Sequence, residues 1–326
     1  MAAAIPLHGV RASAPGARLR MVAEIRAGLT ACPRYIPSKY FYDDRGSALF
    51  EAITQLPEYY QTRTEEALLA RIADELVRVT QPAALVELGS GAGRKVRLLL
   101  DAAARMPLPR HLTVFDVNAR SVRASAARLA AAYPGLRTQA VVGDFTEDLS
   151  ALGWGTRRLA ILFGGTLGNL HPGEVPGFLR RFARQLGPGS WFLVGVDVVK
   201  DAARLEAAYN DAAGITAAFN LNILRHLNRA LGADFDPARF AHRAFWDASH
   251  EWIEMRLLAT APGTVRIPDA RLALEFRPGD ELRTEISCKY TDRTFGALLS
   301  GTGFTLDRWY TDDEGLFALA LLRRDA

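Results

Sequence analysis

Three glycines at alternate positions, Gly89, Gly91 and Gly93, follow directly on an apolar run from Ala83 to Leu88. No other stretch limits the possible folds as strongly. A helix-periodic apolar segment follows, through Leu98, Leu99, Leu100 and Ala103. The order reads as strand, tight turn, helix. Glycines spaced this way let the backbone turn sharply and approach a ligand with no Cβ in the way. The helix after them aims its first amides at whatever sits there. In a dinucleotide site the third glycine stands three after the second, which is not the spacing here. An acid, Glu87, precedes the first glycine. Taken alone, the stretch also fits an ordinary glycine-rich turn between strand and helix.

The alternation continues downstream. Leu112 to Asp116 reads as a strand, Ala119 to Tyr133 as a helix, and Thr138 to Val142 as a strand ending in Gly143-Asp144-Phe145. Leu159 to Phe163 is a further strand, ending in Gly164-Gly165-Thr166-Leu167-Gly168-Asn169. A helix over about Val175 to Leu186 and a buried strand over Trp191 to Val198 complete the run. Such alternation predicts a parallel sheet with helices on both faces, and ligands bind at the carboxyl ends of its strands. The residues to inspect are therefore Gly89, Asp116, Asp144 and Asn169. A carboxylate at Asp116 can accept from the two hydroxyls of a ribose. Asp144 can take an adenine amino proton while the Phe145 ring packs on the base. One aspartate after one strand is more often a helix cap or a turn; acids after successive strands favour a cofactor site.

The length, 326 residues, suits one large domain or two smaller ones. With 49% hydrophobic and 23% charged residues the chain can bury a core. The net charge of +4 is carried by scattered arginines, which argues against nucleic acid as a partner. Two cysteines, Cys32 and Cys288, make no disulfide framework and fit a reducing cytoplasm. The six histidines lack metal-ligand spacing, so no metal is expected. No run of about 20 apolar residues would span a membrane. The first 20 residues read as an unstructured start without a signal peptide.

Upstream of the alternation, Arg18 to Ala27 reads as a short helix stopped by Gly28, and Ala48 to Leu56 as another. Thr62 opens a helix to about Val79 with Thr64 as its cap. The tyrosines between, Tyr40, Tyr42, Tyr59 and Tyr60, suit either plain packing or the roof of a pocket. After Asp201 the alternation stops. Helices over Asp201 to Asn210 and Ala217 to Leu231 precede several antiparallel strands between Phe240 and Glu281, then a helix over Arg293 to Leu299 and a terminal hairpin.

The Glu87-Leu-Gly-Ser-Gly91 stretch with Gly93 resembles the first loop of class I S-adenosylmethionine-dependent methyltransferases. Longer stretches narrow the likeness. Lys39-Tyr-Phe-Tyr-Asp43, Leu56-Pro-Glu-Tyr-Tyr-Gln-Thr-Arg-Thr-Glu65, Leu85-Val-Glu-Leu-Gly-Ser-Gly91, Gly143-Asp-Phe145, Gly168-Asn169, Ala207-Ala-Tyr-Asn-Asp-Ala-Ala-Gly214, Thr216-Ala-Ala-Phe-Asn220, Ile253-Glu-Met255 and Thr284-Glu-Ile-Ser-Cys-Lys289 run in order over nearly the whole chain. In this combination the chain resembles the L-histidine Nα-methyltransferases of ergothioneine biosynthesis, which trimethylate histidine to hercynine. Two departures stand out: Gly165, where relatives often have serine, and Arg94, which makes the loop more basic.

The resemblance implies a fold, a cofactor and roles. The fold is α/β, a class I Rossmann-like methyltransferase sheet, with a second domain formed by the N-terminal region and an insertion. The expected pieces are 1–62 for the N-terminal part of the substrate domain, 63–200 for the methyltransferase core, 201–285 for the insertion and 286–326 for the rest of the core. The cofactor is S-adenosyl-L-methionine. Gly89 and Lys95 would hold its methionine end, Asp116 its ribose, and Asp144 with Phe145 its adenine. Asn169 and Tyr209 would clamp the carboxylate and amine of L-histidine, and Tyr42 would face the amine being methylated, so that Tyr42 and Asn169 form the catalytic pair. Tyr59, Glu285 and Ser287 would recognise the imidazole, with Met255 beside it. A small-molecule substrate, a monomer, a cytoplasmic location and no nucleic acid, membrane or metal are expected.

The chemistry asks for such residues. Methyl transfer from a sulfonium is an in-line displacement, and catalysis lies mainly in positioning an unprotonated amine. A product quaternary ammonium sits well on aromatic faces, which suits Tyr42. A carboxylate paired with a hydroxyl, as Glu285 and Ser287, can read both imidazole nitrogens. Other readings stay open. Another amino acid or small amine could be the substrate. A protein or nucleic-acid methyltransferase would share the loop but need an open or basic cleft, and a non-catalytic module would have lost the polar set.

Overall fold

The apolar run before the glycines is a strand flanked on both sides by parallel neighbours. The computed structural model describes residues 10–12, 16–105, 109, 111–147 and 149–325. In chain order the first elements are β1 (Val10–Ala12), α1 (Ala17–Thr30), α2 (Asp44–Ile53), α3 (Tyr60–Thr80), β2 (Ala84–Leu88), α4 (Lys95–Ala103), β3 (His111–Asp116), α5 (Ala119–Ala132), β4 (Arg137–Val142), β5 (Arg158–Leu162), α6 (Val175–Ala183) and β6 (Trp191–Asp197). Then come α7 (Ala202–Ala207), α8 (Ile215–Leu231), β7 (Phe240–Asp247), β8 (Trp252–Ala259), β9 (Gly263–Ile267), β10 (Leu272–Phe276), β11 (Glu281–Cys288), α9 (Asp292–Leu298), β12 (Phe304–Thr311) and β13 (Phe317–Arg324). By its internal contacts the chain divides into two units: Met1–Ala14, Gln61–Val199 and Lys289–Ala326 form one, and Pro15–Tyr60 with Lys200–Cys288 form the other.

The first unit is built on an eight-stranded sheet in the order β1-β4-β3-β2-β5-β6-β13-β12. β4, β3, β2, β5 and β6 are parallel, while β13 runs antiparallel to both β6 and β12. The order reverses beside β2, so β2 and β5 diverge at the switch point where α/β sheets bind ligands. This is the sheet of class I S-adenosylmethionine-dependent methyltransferases, with β1 added at one edge. Its strands are near-continuous apolar runs because helices cover both faces. Leu85, Val114, Ile161 and Leu193 are all but inaccessible, packed with Leu76 of α3, Leu99 of α4 and Val122 of α5. α5 shows how locally the sequence dictates this. Asn118 caps it by accepting from the Ser121 amide at 2.9 Å, and Val122, Ala126, Leu129 and Ala130 form its buried stripe.

Three local readings need correction. The strand Val10–Ala12 pairs parallel with Ala140–Val142 of β4, although the opening residues read as unstructured. The rest of that opening stretch through residue 9, and residues 13–15, lie outside the described residues. Gly28 does not stop α1, which runs on to Thr30. A Cβ there would stand 2.4 Å from the Tyr35 carbonyl oxygen, so glycine serves a close backbone approach. Thr64 is not a cap either: α3 begins at Tyr60, and Thr64 lies inside its second turn.

The second unit has a three-stranded antiparallel sheet, β11-β8-β7, and a two-stranded one, β10-β9. α8 is the helix on which this unit is mounted, with Phe219, Asn220, Asn222, Ile223, Leu224, Leu227 and Leu231 buried along it. A register shift between Arg283 and Glu285 on β11 makes Thr284 an extra residue, a β-bulge. As a result Glu285, not Thr284, stands opposite Met255 of β8, and Ser287 stands opposite Ile253. A one-residue shift moves alternate side chains to the other face, so this bulge decides where Glu285 and Ser287 point.

Candidate functional site

In the first unit the glycine loop leaves β2 with Gly89, Gly91 and Gly93 all at positive φ, +68°, +48° and +65°. Those angles require glycine, since other L-residues pay steric strain there. The Gly89 and Ser90 amides are tied to the Phe115 carbonyl at 2.7 and 3.1 Å, fixing the loop to the end of β3. Asp116 accepts from the Gly91 amide at 3.0 Å and the Asn118 amide at 2.9 Å. Burial pushes its carboxyl above the ordinary value, and the backbone donors at Asn118, Gly91 and Val117 oppose that rise. A Cβ on Gly89 would lie 3.7 Å from the Phe145 ring, and one on Gly91 would meet nothing within 4 Å. The structure thus gathers Gly89, Asp116 and Phe145 around one open cradle. Asp144 sits beside them, its Oδ1 accepting from the Thr146 amide and hydroxyl.

Lys95, the first residue of α4, ion-pairs with Glu65 of α3, whose side chain has no exposed surface. The Gly164 amide reaches both Glu65 oxygens, at 3.0 and 2.9 Å. Burial raises the Glu65 carboxyl, and Lys95 pulls it back. Glu87 lies close in the same acidic group and is pushed up to about 8, chiefly by burial, with Lys95 opposing and Asp116 and Glu65 reinforcing. Its Oε2 is buried with no hydrogen-bond partner. Such an orphaned acceptor fits a ligand that brings a cationic N–H donor, as the amino acid end of S-adenosylmethionine does. The glycine cradle and the strand-end acid fit a nucleoside. Asn169 ends the 3-10 turn Thr166–Asn169 after β5. That turn is entered through Gly164 and Gly165 at φ +77° and +67°, so glycine at 165 suits the backbone it has.

In the second unit Tyr42 follows the 3-10 turn Ser38–Phe41. Its ring makes edge contacts with Phe50 at 5.7 Å and Phe219 at 5.8 Å between centroids. Phe50 in turn meets Tyr59 at 6.1 Å, and Tyr59 meets Tyr209 at 6.5 Å. The Tyr209 hydroxyl donates to Ser287 Oγ at 2.8 Å. Met255 and Ser287 are buried and Glu285 is half-buried. The second unit therefore brings Tyr42, Tyr59, Tyr209 and Ser287 into one connected series, and pairs Glu285 with Met255 across two strands. Of the remaining tyrosines, Tyr40 donates to Glu24 at 2.6 Å and Tyr60 accepts from Lys200 at 2.7 Å.

α8 holds the Tyr42 segment from one side. Asn222 donates to Asp43 at 2.8 Å, Arg229 ion-pairs with Asp43, and a His226 ring nitrogen lies 2.7 Å from the Tyr40 carbonyl. Asp43 itself caps α2 through the Gly46 amide at 2.6 Å. Reasoning from sequence assigns no role to Glu65, Glu87, Phe50, Phe219, Asn220 or Asn222. Several were within reach: Glu65, Phe219 and Asn220 lie inside the stretches that carry the family resemblance, and Glu87 opens the glycine loop.

Among the described residues no cluster of His, Cys, Asp and Glu could hold a metal ion, and no helix is long and apolar enough to cross a membrane.

Comparison with known proteins gives these arrangements a family. A family model described as histidine-specific methyltransferase, SAM-dependent, matches residues 21–324. The chain is 45% identical over 301 residues to histidine N-alpha-methyltransferase of Mycolicibacterium smegmatis, covering 92% of this chain and 94% of that one. It is 43% identical over 298 residues to the protein of the same name from Mycobacterium tuberculosis, covering 91% and 93%. Ergothioneine biosynthesis protein 1 of Neurospora crassa is 29% identical over 312 residues, which cover 89% of this chain and 34% of that protein. The chain belongs to the family of histidine-specific, S-adenosylmethionine-dependent methyltransferases.

Proposed function

We propose that this enzyme methylates the α-amine of free L-histidine three times, giving the betaine hercynine, the first step of ergothioneine biosynthesis. Family membership supports the reaction, and one observation supports the substrate: Ser287, which accepts from the Tyr209 hydroxyl at 2.8 Å, lies on the strand that also carries Glu285 opposite Met255. A carboxylate and a hydroxyl, as Glu285 and Ser287, can bond the two nitrogens of an imidazole, which a hydrocarbon ring lacks. S-adenosylmethionine supplies an electrophilic methyl group on a sulfonium.

The roles are those the family resemblance implies. Gly89 and Lys95 take the methionine end of the cofactor, Asp116 the ribose, and Asp144 with Phe145 the adenine. Asn169 and Tyr209 hold the carboxylate and amine of histidine. Tyr59, Glu285 and Ser287 take the imidazole, with Met255 packed beside it. Tyr42, set against Phe50 and Phe219, faces the amine. A free α-amine is largely protonated near neutral pH, since even a peptide α-amine has a pKa of about 8, and only the neutral form can take a methyl. Aromatic faces accept the growing quaternary ammonium without a counter-ion, which allows a third transfer. The substrate-binding part consists of the N-terminal region and the insertion. We further propose a cytoplasmic monomer that acts without nucleic acid or membrane, in keeping with its scattered charge.

The test is a comparison of histidine with histidine methyl ester. The reading expects the ester to be a poor substrate, because the carboxylate has lost its charge. Equal turnover of the two would remove the carboxylate clamp from the account.

A further inference from the structure

The Thr216–Asn220 and Thr284–Lys289 stretches meet in a hydrogen-bond chain whose donors and acceptors can be assigned throughout. Asn220, fully buried on α8, donates through Nδ2 to the Arg256 carbonyl at 3.0 Å. That bond fixes which way its amide faces. Its Oδ1 then accepts from the Thr284 hydroxyl at 2.7 Å, and the second Nδ2 proton points at His242 Nδ1 at 2.8 Å. His242 Nδ1 must be a bare acceptor, so the ring proton is on Nε2. Nε2 lies 2.8 Å from the Tyr209 carbonyl and donates to it. Burial pushes the His242 ring below the usual imidazole range, in keeping with a neutral ring.

One end of this chain falls on a residue assigned to substrate, and the other on the immediate neighbour of one. At one end is the backbone of Tyr209. At the other is the bulge residue Thr284, whose single hydroxyl proton is shared between Asn220 Oδ1 and the Met255 carbonyl, 3.1 Å away, and which stands directly before Glu285. β7, β8, β11, α8 and the turn after α7 are therefore linked through one imidazole and one amide. Packing alone would not need a neutral ring with one specified tautomer.

Resting on the reading that this site takes histidine, we propose that His242 is a positioning residue for substrate recognition, holding Tyr209 in register with Thr284 and Glu285 through Asn220. It touches no reacting atom. Its effect is to keep the Tyr209–Ser287 pair and the Glu285–Met255 pair at a fixed spacing.

The experiment measures KM for histidine, KM for S-adenosylmethionine and kcat in the wild type, His242→Leu, His242→Gln and Thr284→Val, with thermal melts to confirm folding. Leucine removes both ring bonds, while glutamine returns an Nε2 donor toward the Tyr209 carbonyl. His242→Leu is expected to raise the histidine KM about tenfold or more, with the cofactor KM and kcat within about twofold of wild type. His242→Gln should recover most of the loss, and Thr284→Val should show a smaller rise of the same kind. A folded His242→Leu with wild-type histidine KM would overturn the proposal. So would a loss shared equally between histidine and cofactor, or a His242→Gln no better than leucine. A wild-type protein with no activity on histidine would instead overturn the functional reading on which the proposal rests.

Discussion

Lys95 donates through Nζ to the carboxylate of Glu65, a side chain with no exposed surface. The pair joins the start of α4 to α3, and through the Gly164 amide to the loop after β5. Lysine has three donors, so this bond leaves capacity for a ligand carboxylate. Replacing Lys95 by Met is expected to weaken cofactor binding by about 1.5–3 kcal/mol, the scale of a lost hydrogen bond to a charged group. The same change removes the partner of a buried carboxylate and should lower the melting temperature. Isothermal titration with S-adenosylhomocysteine, alongside melts, separates the two effects. Unchanged affinity would confine Lys95 to a structural part.

Glu87 makes stability depend on pH in a defined direction. Its folded carboxyl is pushed up to about 8, and the unfolded one titrates near 4.5. Between those values the unfolded chain gives up a proton that the folded chain keeps, so stability falls as pH rises through this window. Glu87→Gln removes the titration. Without cofactor, the variant should gain stability over wild type between pH about 5 and 8, by up to about 4 kcal/mol. Melting curves at both ends check this. A difference that stays flat with pH would show that Glu87 is ionised in the folded protein.

Asp116 accepts two backbone amides and ends β3 beside the glycine loop. Asp116→Ala should cost about 1–3 kcal/mol of cofactor affinity by the loss of charged hydrogen bonds. Calorimetry on the folded variant decides it, and wild-type affinity would place the ribose elsewhere.

Glu285 and Met255 stand opposite one another on β11 and β8. Replacing them by Ala and Val together removes the acceptor proposed for the imidazole and opens room. The ratio of kcat/KM for tryptophan over histidine should then rise, with about 1.5–3 kcal/mol lost for histidine from the carboxylate alone. A ratio equal to wild type would assign ring selection to another residue, with Tyr59 first in line.

The sheet was legible in the sequence because its strands are long apolar runs between strongly periodic helices, from Ala84–Leu88 to Trp191–Asp197. The residues after those strands, Gly89, Asp116 and Asn169, could be picked out for the same reason. Three features were not legible, each for a physical reason. Gly28 looks like a stop signal, yet it answers a contact with Tyr35, distant from any local pattern. The bulge at Thr284 changes no composition and appears only in the pairing of β11 with β8. Glu65 and Glu87 carry their meaning through burial beside Lys95, and a sequence does not show burial of a single acid. The roles for Tyr42, Tyr59, Glu285 and Ser287 came from family resemblance, since tyrosines and a strand glutamate have no signature of their own.

Incubating the purified protein with S-adenosylmethionine and each of the twenty free amino acids, and reading products by mass, decides whether histidine is the substrate. Histidine alone is expected to be converted efficiently and to accumulate a species carrying three added methyl groups, with fragmentation placing all three on the α-nitrogen. Methylation of a ring nitrogen, a product that stops at one methyl, or another amino acid preferred over histidine would contradict that expectation.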